Sequence, residues 1–181
     1  MQALHRNSPR TLSLPVVSLL FVAVLSCKSS PSLGDTPEAP IPIGVWGDLY
    51  FPGDLRQEFQ LRVTDSYIGE AAVGLLSSRM HPIPRCNDHS AQFLLVEYEI
   101  RFEDDGHNEG SISLRDCRTS WQAYWNRQLI SSYTPYLLQD TDFARDVSIL
   151  PGGADSDWVC FEIPRTWSKP LLMIGELYFS I

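Results

Sequence analysis

The sequence predicts an all-β protein, an antiparallel β-sandwich that follows an N-terminal export segment. Three observations lead to this prediction. From residue 58 onward, apolar side chains recur at every second position in several short runs, which is the spacing of half-buried strands. Gly and Pro separate these runs, and no long stretch carries helical spacing. The first 43 residues differ, because an uncharged apolar run is followed there by a polar segment rich in Pro and Ser.

Four runs show the strand pattern most clearly. In residues 94–102, five apolar side chains alternate with polar or charged ones, as expected for a strand with one buried and one solvated face. The same alternation recurs in residues 58–64, 159–163 and 171–181. Residues 68–80 and 119–130 are the two segments in which we expect short helical turns.

The N-terminus has the three parts of an export signal. Arg6 and Arg10 give it a basic start, residues 12–25 carry no charge, and Ser26 is small. These features are typical of a secretory signal peptide. The apolar run is shorter than the roughly 20 residues that span a bilayer core. We therefore predict a signal peptide over residues 1–26 and not a permanent membrane helix.

The end of this signal carries a further motif. The run Val24-Leu25-Ser26-Cys27 resembles the lipobox of bacterial lipoproteins, in which the cysteine becomes the mature N-terminus and carries acyl chains. The resemblance implies a membrane anchor through lipid on Cys27, with the protein at the outer membrane or cell surface of the bacterial envelope. The alternative is an ordinary signal peptide in which Cys27 is incidental. Residues 27–43 are predicted to be the lipidated cysteine and a flexible tether.

The composition is acidic and excludes one class of partner. The chain has a formal charge of −8, and removing residues 1–26 takes away two arginines and no acid, which leaves −10. Such a surface repels the phosphates of nucleic acids. We therefore predict no nucleic-acid partner. The remaining residues, 44–181, suit one folded domain.

Several positions of this domain follow a recognisable order along the chain. They are Leu114 and Asp116, then Tyr124, then Leu150, Pro151 and Gly152, then Phe161, Ile163 and Pro164. In this order, residues 47–181 resemble the telokin-like or immunoprotective-antigen-like extracellular domains of bacterial lipoproteins, a group of largely unknown function. The resemblance implies an immunoglobulin-like sandwich and no enzymatic activity.

Three cysteines remain once Cys27 is assigned to lipid, and an exported domain favours disulfides. If the strands on either side of Asp105-Gly106 form a hairpin, Cys86 and Cys117 lie at the same end. We therefore predict a Cys86–Cys117 bond, worth about 3 kcal/mol in the chain-entropy model. Pairing of Cys160 with either of the other two stays open, because sequence does not fix connectivity.

An aromatic segment, residues 120–136, is the candidate binding surface. Trp, Tyr and Arg are common anchors of interfaces, and we predict that Trp125, Arg127 and Tyr133 are exposed and bind a partner. Trp121 and Tyr124 fit the sandwich core equally well. The leading prediction is a lipid-anchored, noncatalytic module that binds an envelope protein or glycan.

Two alternatives belong to other functional classes. A metal-handling module would use residues 81–89, which contain His81, Cys86, Asp88 and His89, but their spacing matches no zinc pattern and we assign no metal ligand. A hydrolase is less favoured, because the chain has no Gly-x-Ser-x-Gly elbow, no His-Glu-x-x-His and no phosphate loop. We predict no catalytic residue and no cofactor.

Overall fold

The computed structural model of the chain describes residues 32–51, 57–79, 85–104, 106, 110–131 and 147–181. The predicted signal peptide and lipidation site, Cys27, lie outside the described residues, and so does Tyr133. Within the described part, neither helix has the length and apolar character needed to cross a bilayer.

The described residues form ten strands and two short helices. In chain order these are β1 (Gly47–Phe51), β2 (Gln57–Ile68), α1 (Glu70–Arg79), β3 (Ala91–Arg101), β4 (Ile112–Ser113), α2 (Leu114–Ser120), β5 (Trp121–Trp125), β6 (Gln128–Ser131), β7 (Ser148–Ile149), β8 (Ala154–Pro164), β9 (Leu171–Ile174) and β10 (Leu177–Ser180). The runs 58–64 and 159–163 lie within single strands, and 94–101 lies within β3. The run 171–181, predicted as one strand, instead forms the hairpin of β9 and β10 around a turn at Gly175 and Glu176.

The strands form two four-stranded sheets and one small pair. The long sheet has the order β1-β2-β3-β8, the short sheet has the order β10-β9-β5-β6, and β4 pairs with β7. Every pairing between named strands is antiparallel. A single core cluster joins both sheets, including Val96 and Phe161 from the long sheet and Trp121 and Leu172 from the short one. The predicted fold class, an all-β antiparallel sandwich, is confirmed.

The outer face of the long sheet is divided into two halves. Helix α1 packs Ala72 and Leu76 onto Phe93 and Leu95, which point away from the inter-sheet core and are buried nevertheless. We call this part the covered half. Further along β3, the outward residues are only partly buried, beginning with Glu97. We call this second part the open half.

The two helical predictions have different outcomes. The segment 68–80 does contain a helix, α1. The segment 119–130 is mostly the β5–β6 hairpin, so that prediction is wrong over most of its length. The reason is that Trp121 and Ala123 are buried while Gln122 is partly exposed, which is the alternation of a strand.

The predicted hairpin around Asp105-Gly106 is absent from the described pairings. Strand β3 pairs with β2 and β8, while β4 pairs with β7. Cys117 therefore lies in the core between the sheets, whereas Cys86 packs against the cluster beneath α1 on the outer face of the long sheet. Both are free thiols, as is Cys160. The predicted Cys86–Cys117 bond is wrong, because the sheet separates the two side chains.

The end of the predicted tether contacts the sandwich. Ile41 is buried in the core and forms a parallel bridge with Phe179 of β10. Its backbone N–H donates to the carbonyl of Tyr178 at 2.8 Å, and its carbonyl accepts from the N–H of Ser180 at 2.9 Å. The chain is thus fixed to the short sheet before residue 44, the predicted start of the domain.

Candidate functional site

A groove of about 360 Å³ opens on the open half of the long sheet. Its lining combines carboxylates with hydroxyl groups and comprises Thr64, Glu97, Glu99, Ala154, Asp155 and Ser156. Three strands supply these residues, β2, β3 and β8. The antiparallel register brings them together, because Glu99 lies between Arg62 of β2 and Ser156 of β8.

A bulge in β2 shapes one wall of the groove. The register between β2 and β3 shifts between Val63 and Asp65, so Thr64 is an extra residue in its strand. Bulges of this kind redirect side chains and are common at functional sites. The Thr64 hydroxyl donates to Glu97 Oε2 at 3.2 Å, which fixes the position of that carboxylate at the groove.

Arg62 partly compensates the negative charge of the groove. Its Nη2 and Nε atoms lie 2.6 and 2.9 Å from Glu99 Oε2, and both side chains are partly exposed. The same guanidinium lies 4.6 Å from the ring centroid of Trp46, and that of Arg101 lies at 4.7 Å. Contacts of this kind contribute about 0.5–1 kcal/mol each at exposed sites. Arg62 is therefore held by two partners.

Aromatic side chains lie beside the groove, towards the covered half. Trp158 of β8 lies opposite Glu97 in the register, and its ring centroid is 6.0 Å from that of Tyr67. The guanidinium of Arg79, at the end of α1, lies 6.0 Å from the Trp158 ring. The Tyr67 hydroxyl donates to Asp65 Oδ2 at 2.6 Å, and this hydrogen bond raises the pKa of the tyrosine.

The side chains of this arrangement are suited to binding. Its carboxylates accept hydrogen bonds and attract cations, and its hydroxyls both donate and accept. Nucleophilic catalysis by Ser156 would need an adjacent base oriented by a third group, and the residues that line the groove include no histidine. Binding of a cationic or hydroxyl-rich group is what this set of side chains can do.

The two sequence-predicted binding residues that the structure describes, Trp125 and Arg127, lie elsewhere, on the short sheet. Trp125 is partly buried, with its ring centroid 6.5 Å from that of Trp167. Arg127 is exposed at the tip of the β5–β6 hairpin. Tyr133 lies outside the described residues. Of the two undecided aromatics, Trp121 is in the core, and Tyr124 is partly buried with its ring edge-on to Tyr178.

The structure also contains a buried polar group that is not among the sequence-based predictions. Asp157 of β8 accepts from Arg118 Nη2 at 2.7 Å and Nε at 2.9 Å, and the Tyr98 hydroxyl donates to the same carboxylate at 3.1 Å. Burial raises the pKa of the Asp157 carboxyl and outweighs the opposite effect of Arg118. The sequence does contain a signal for this group. The alternation of Val159, Phe161 and Ile163 continues back to residue 157, which places an acid on the inward face of the strand.

The segment considered for metal binding is organised as a turn. The Asp88 carboxylate accepts from the backbone N–H of Ser90 at 2.8 Å and from its hydroxyl at 2.7 Å, and these bonds lower the Asp88 pKa. His89 is exposed, Cys86 packs toward the covered half, and His81 lies outside the described residues. The described part of the chain contains no group of three or more His, Cys, Asp or Glu placed to hold a metal ion.

Comparison with known proteins gives little. No protein-family model matches the chain, and no curated protein does. Among solved structures, the chain is similar to MPT63, a secreted protein from Mycobacterium tuberculosis. The identity is 12%, the match covers 77% of this chain and 94% of that one, and the TM-score is 0.49. The β-sandwich assignment therefore rests on the strand pairing described above.

Proposed function

We propose that this protein is a noncatalytic binding module of the bacterial cell envelope, exported and anchored through lipid on Cys27, and that it binds a basic segment of a partner protein in the groove of the open half. One observation carries the proposal. Helix α1 covers only half of the outer face of the long sheet, and the half that it leaves open holds a groove lined by carboxylates and hydroxyls.

The chemistry of the groove favours a cationic occupant. Glu97 and Glu99 point to the outer face of β3 and place carboxylates in the groove, and these are the natural partners of lysine and arginine. The nearby Trp158 ring already contacts Tyr67 and the Arg79 guanidinium of this chain, so the carboxylates carry the preference for a cation. The acidic charge of the chain, −8 overall, adds a long-range attraction for a basic partner.

The rims support recognition of a protein segment because they are already held in place. Arg62 is fixed by Glu99 and Trp46, and Thr64 fixes Glu97. Side chains that are ordered before binding lose less entropy on binding. A volume of about 360 Å³ suits one or two side chains, such as those of a short segment crossing the sheet.

Site-specific photocrosslinking tests the proposal. The photoreactive residue would replace Ser156 in the groove, with Glu176 in the β9–β10 turn as the matched exposed control position, in the full chain produced in its native host. We expect adducts from position 156 and none from 176, with the crosslinked peptide rich in Lys or Arg. The Glu97→Gln, Glu99→Gln double variant should lower the adduct yield at least tenfold, while Glu176→Gln should leave it unchanged.

Other outcomes would contradict the proposal. Carbohydrate adducts at position 156 would replace the protein partner with a glycan. Adducts that disappear with Trp125→Ala or Arg127→Ala but survive the groove variants would move the site to the β5–β6 hairpin, where the sequence analysis placed it. Equal labelling at positions 156 and 176 would mean that the groove is not a binding site.

A further inference from the structure

Two of the three described cysteines lie on the same side of the long sheet. Cys160 is buried on the outer face of β8, opposite Leu95 of β3, in the cluster that α1 covers with Ala72 and Leu76. Cys86 is partly exposed and packs against this same cluster. The two thiols therefore contact the same hydrophobic cluster, although they belong to different segments of the chain.

Hydrogen bonds hold the Cys86 segment against β8. The backbone N–H of Asn87 donates to both carboxylate oxygens of Glu162 at 3.2 Å, and its side-chain amide donates to Oε1 at 3.0 Å. Glu162 follows Cys160 by two residues, so both side chains point to the same face of the strand. The N–H of Arg165 donates to the carbonyl of Ser90 at 3.0 Å, which adds a second attachment.

The remaining described thiol is on the other side of the sheet. Cys117 belongs to the core between the sheets, where Trp121 is a fellow member. It cannot reach either of the other two without crossing the long sheet. Burial is the main cause of the raised pKa of both Cys160 and Cys117, and the smaller contributions agree with this grouping: Cys86 acts on Cys160, whereas Asp116 and Asp157 act on Cys117.

We propose that Cys86 and Cys160 form an intramolecular disulfide in the exported protein, which joins the segment after α1 to strand β8 over the covered half. The shared cluster and the bonds between Asn87 and Glu162 support it. The structure describes the reduced form, with both side chains as thiols. Oxidation in the cell depends on the export that forms part of the proposed function.

The reaction is an ordinary thiol–disulfide exchange with a disulfide oxidant, either an envelope oxidoreductase or oxidised glutathione. The more exposed Cys86 loses its proton, and its thiolate attacks one sulfur of the oxidant to form a mixed disulfide and release a thiolate. Cys160 then loses its proton and attacks the Cys86 sulfur, which expels the second thiolate of the oxidant. The protein loses two electrons and two protons, and the oxidant becomes two thiols.

Peptide mapping of the purified full chain tests the pairing without depending on export. A Cys27→Ser background removes the fourth thiol. After treatment with oxidised glutathione and tryptic digestion without reduction, we expect the peptide 86–101 linked to the peptide 146–165, and Cys117 in an unlinked peptide. Oxidation should also raise the thermal midpoint by about 10 °C, since a long closed loop restricts the unfolded chain.

Matched variants separate the bond from effects of the substitutions themselves. Cys86→Ser should abolish both the linked peptides and the shift of the thermal midpoint, whereas Cys117→Ala should keep both, even if its own midpoint is lower. A linked pair that includes Cys117, or glutathione retained on Cys86 with a free Cys160, would overturn the proposal. Free Cys86 and Cys160 thiols in protein taken from the envelope would also overturn the proposal for the exported protein, and they would leave the proposed binding function untouched.

Discussion

Three side chains between the sheets show how a polar group is kept in an apolar core. Arg118, Asp157 and Tyr98 come from α2, β8 and β3, and all three are buried. The Asp157 carboxylate accepts hydrogen bonds from both Arg118 and Tyr98. A buried pair of this kind adds little stability relative to apolar residues, but removing the carboxylate is costly, because the guanidinium stays buried and loses its counter-charge.

Asp157→Ala is therefore predicted to lower the free energy of unfolding by about 3–5 kcal/mol, because Arg118 keeps its buried charge. The Arg118→Met, Asp157→Leu double variant should lie much closer to the wild-type protein, since neither charge remains. Tyr98→Phe should cost about 1 kcal/mol, the value of one hydrogen bond. Urea denaturation measures all three. A double variant as unstable as Asp157→Ala would show that the loss comes from packing and not from the charge.

The sequence predicts the burial of some individual residues correctly and misses that of others. The alternation in 94–102 correctly predicts which residues face the core, and all five are buried. It does not predict that Phe93 and Leu95 on the opposite face are buried too, because that depends on a helix arriving from elsewhere in the chain. It also places Cys86 and Cys117 together through a local hairpin, whereas β3 pairs with β2 and β8, strands distant in sequence.

Helix α1 shows why the covered half was hard to predict. Only Ala72 and Leu76 of its ten residues are buried, so its sequence has no strong apolar stripe and indicated no more than a helical turn. Its contribution comes from where it lies, on Phe93, Leu95 and Cys160. The stability of the covered half should depend on this small contact.

Truncating the contact should be costly. Leu76→Ala removes a fully buried side chain and leaves a cavity, and we predict a loss of about 2–4 kcal/mol in the free energy of unfolding. Val73→Ala is the matched control, because Val73 lies on the same helix with 37% of its surface exposed, and it should cost less than about 0.5 kcal/mol. Urea denaturation monitored by tryptophan fluorescence compares the two. Equal losses would mean that α1 contributes through its helical backbone rather than through packing.

The β5–β6 hairpin carries a different kind of signal. Its two-residue turn places Asn126 at φ 47° and Arg127 at φ 66°, the backbone of a type I′ turn, which favours Asn-Gly. Arginine at the second position is conformationally unfavourable. Arg127→Gly should raise the free energy of unfolding by about 0.5–1 kcal/mol, whereas Asn126→Ala should lower it.

Stability and binding measurements on the Arg127→Gly variant together show whether Arg127 binds a partner. If the side chain binds a partner, as the sequence predicts, the stabilised Arg127→Gly protein should lose the adducts that a photoreactive residue placed in the β5–β6 hairpin forms. If adducts are unchanged, the residue has no role in that interaction. A destabilised Arg127→Gly would contradict the turn argument, because glycine adopts a positive φ without steric cost.

At the scale of the whole molecule, the class of fold follows from local patterns and the groove does not. Period-two runs and Gly/Pro turns predict a sandwich without knowledge of which strands pair. The groove cannot be predicted without knowing the strand pairing, because Thr64, Glu97 and Ser156 are separated by more than thirty residues at each step and meet only through the β2-β3-β8 order. From the sequence alone, the pattern therefore indicates only that these side chains lie on a solvated strand face.

The proposed anchor gives the whole molecule its last testable property. Cys27→Ser removes the acyl acceptor, so we predict that the protein moves from the membrane fraction to the soluble fraction while its thermal midpoint stays within about 1 °C. The domain should not respond, because Ile41 already fixes the chain to β10 well after Cys27. Fractionation of host cells, with intact mass of the detergent extract, measures both the location and the added lipid.

Cys86→Ser is the control for the anchor, since it removes a thiol of the folded domain and leaves the lipobox intact. It should remain in the membrane fraction and keep the acyl mass. Multiple acyl chains hold a protein because each buried methylene contributes about 0.8 kcal/mol, so partial release is not expected from an intact lipoprotein. A wild-type protein without acyl mass, released like Cys27→Ser, would show that residues 1–26 are an ordinary signal peptide and that the binding module acts free of the membrane.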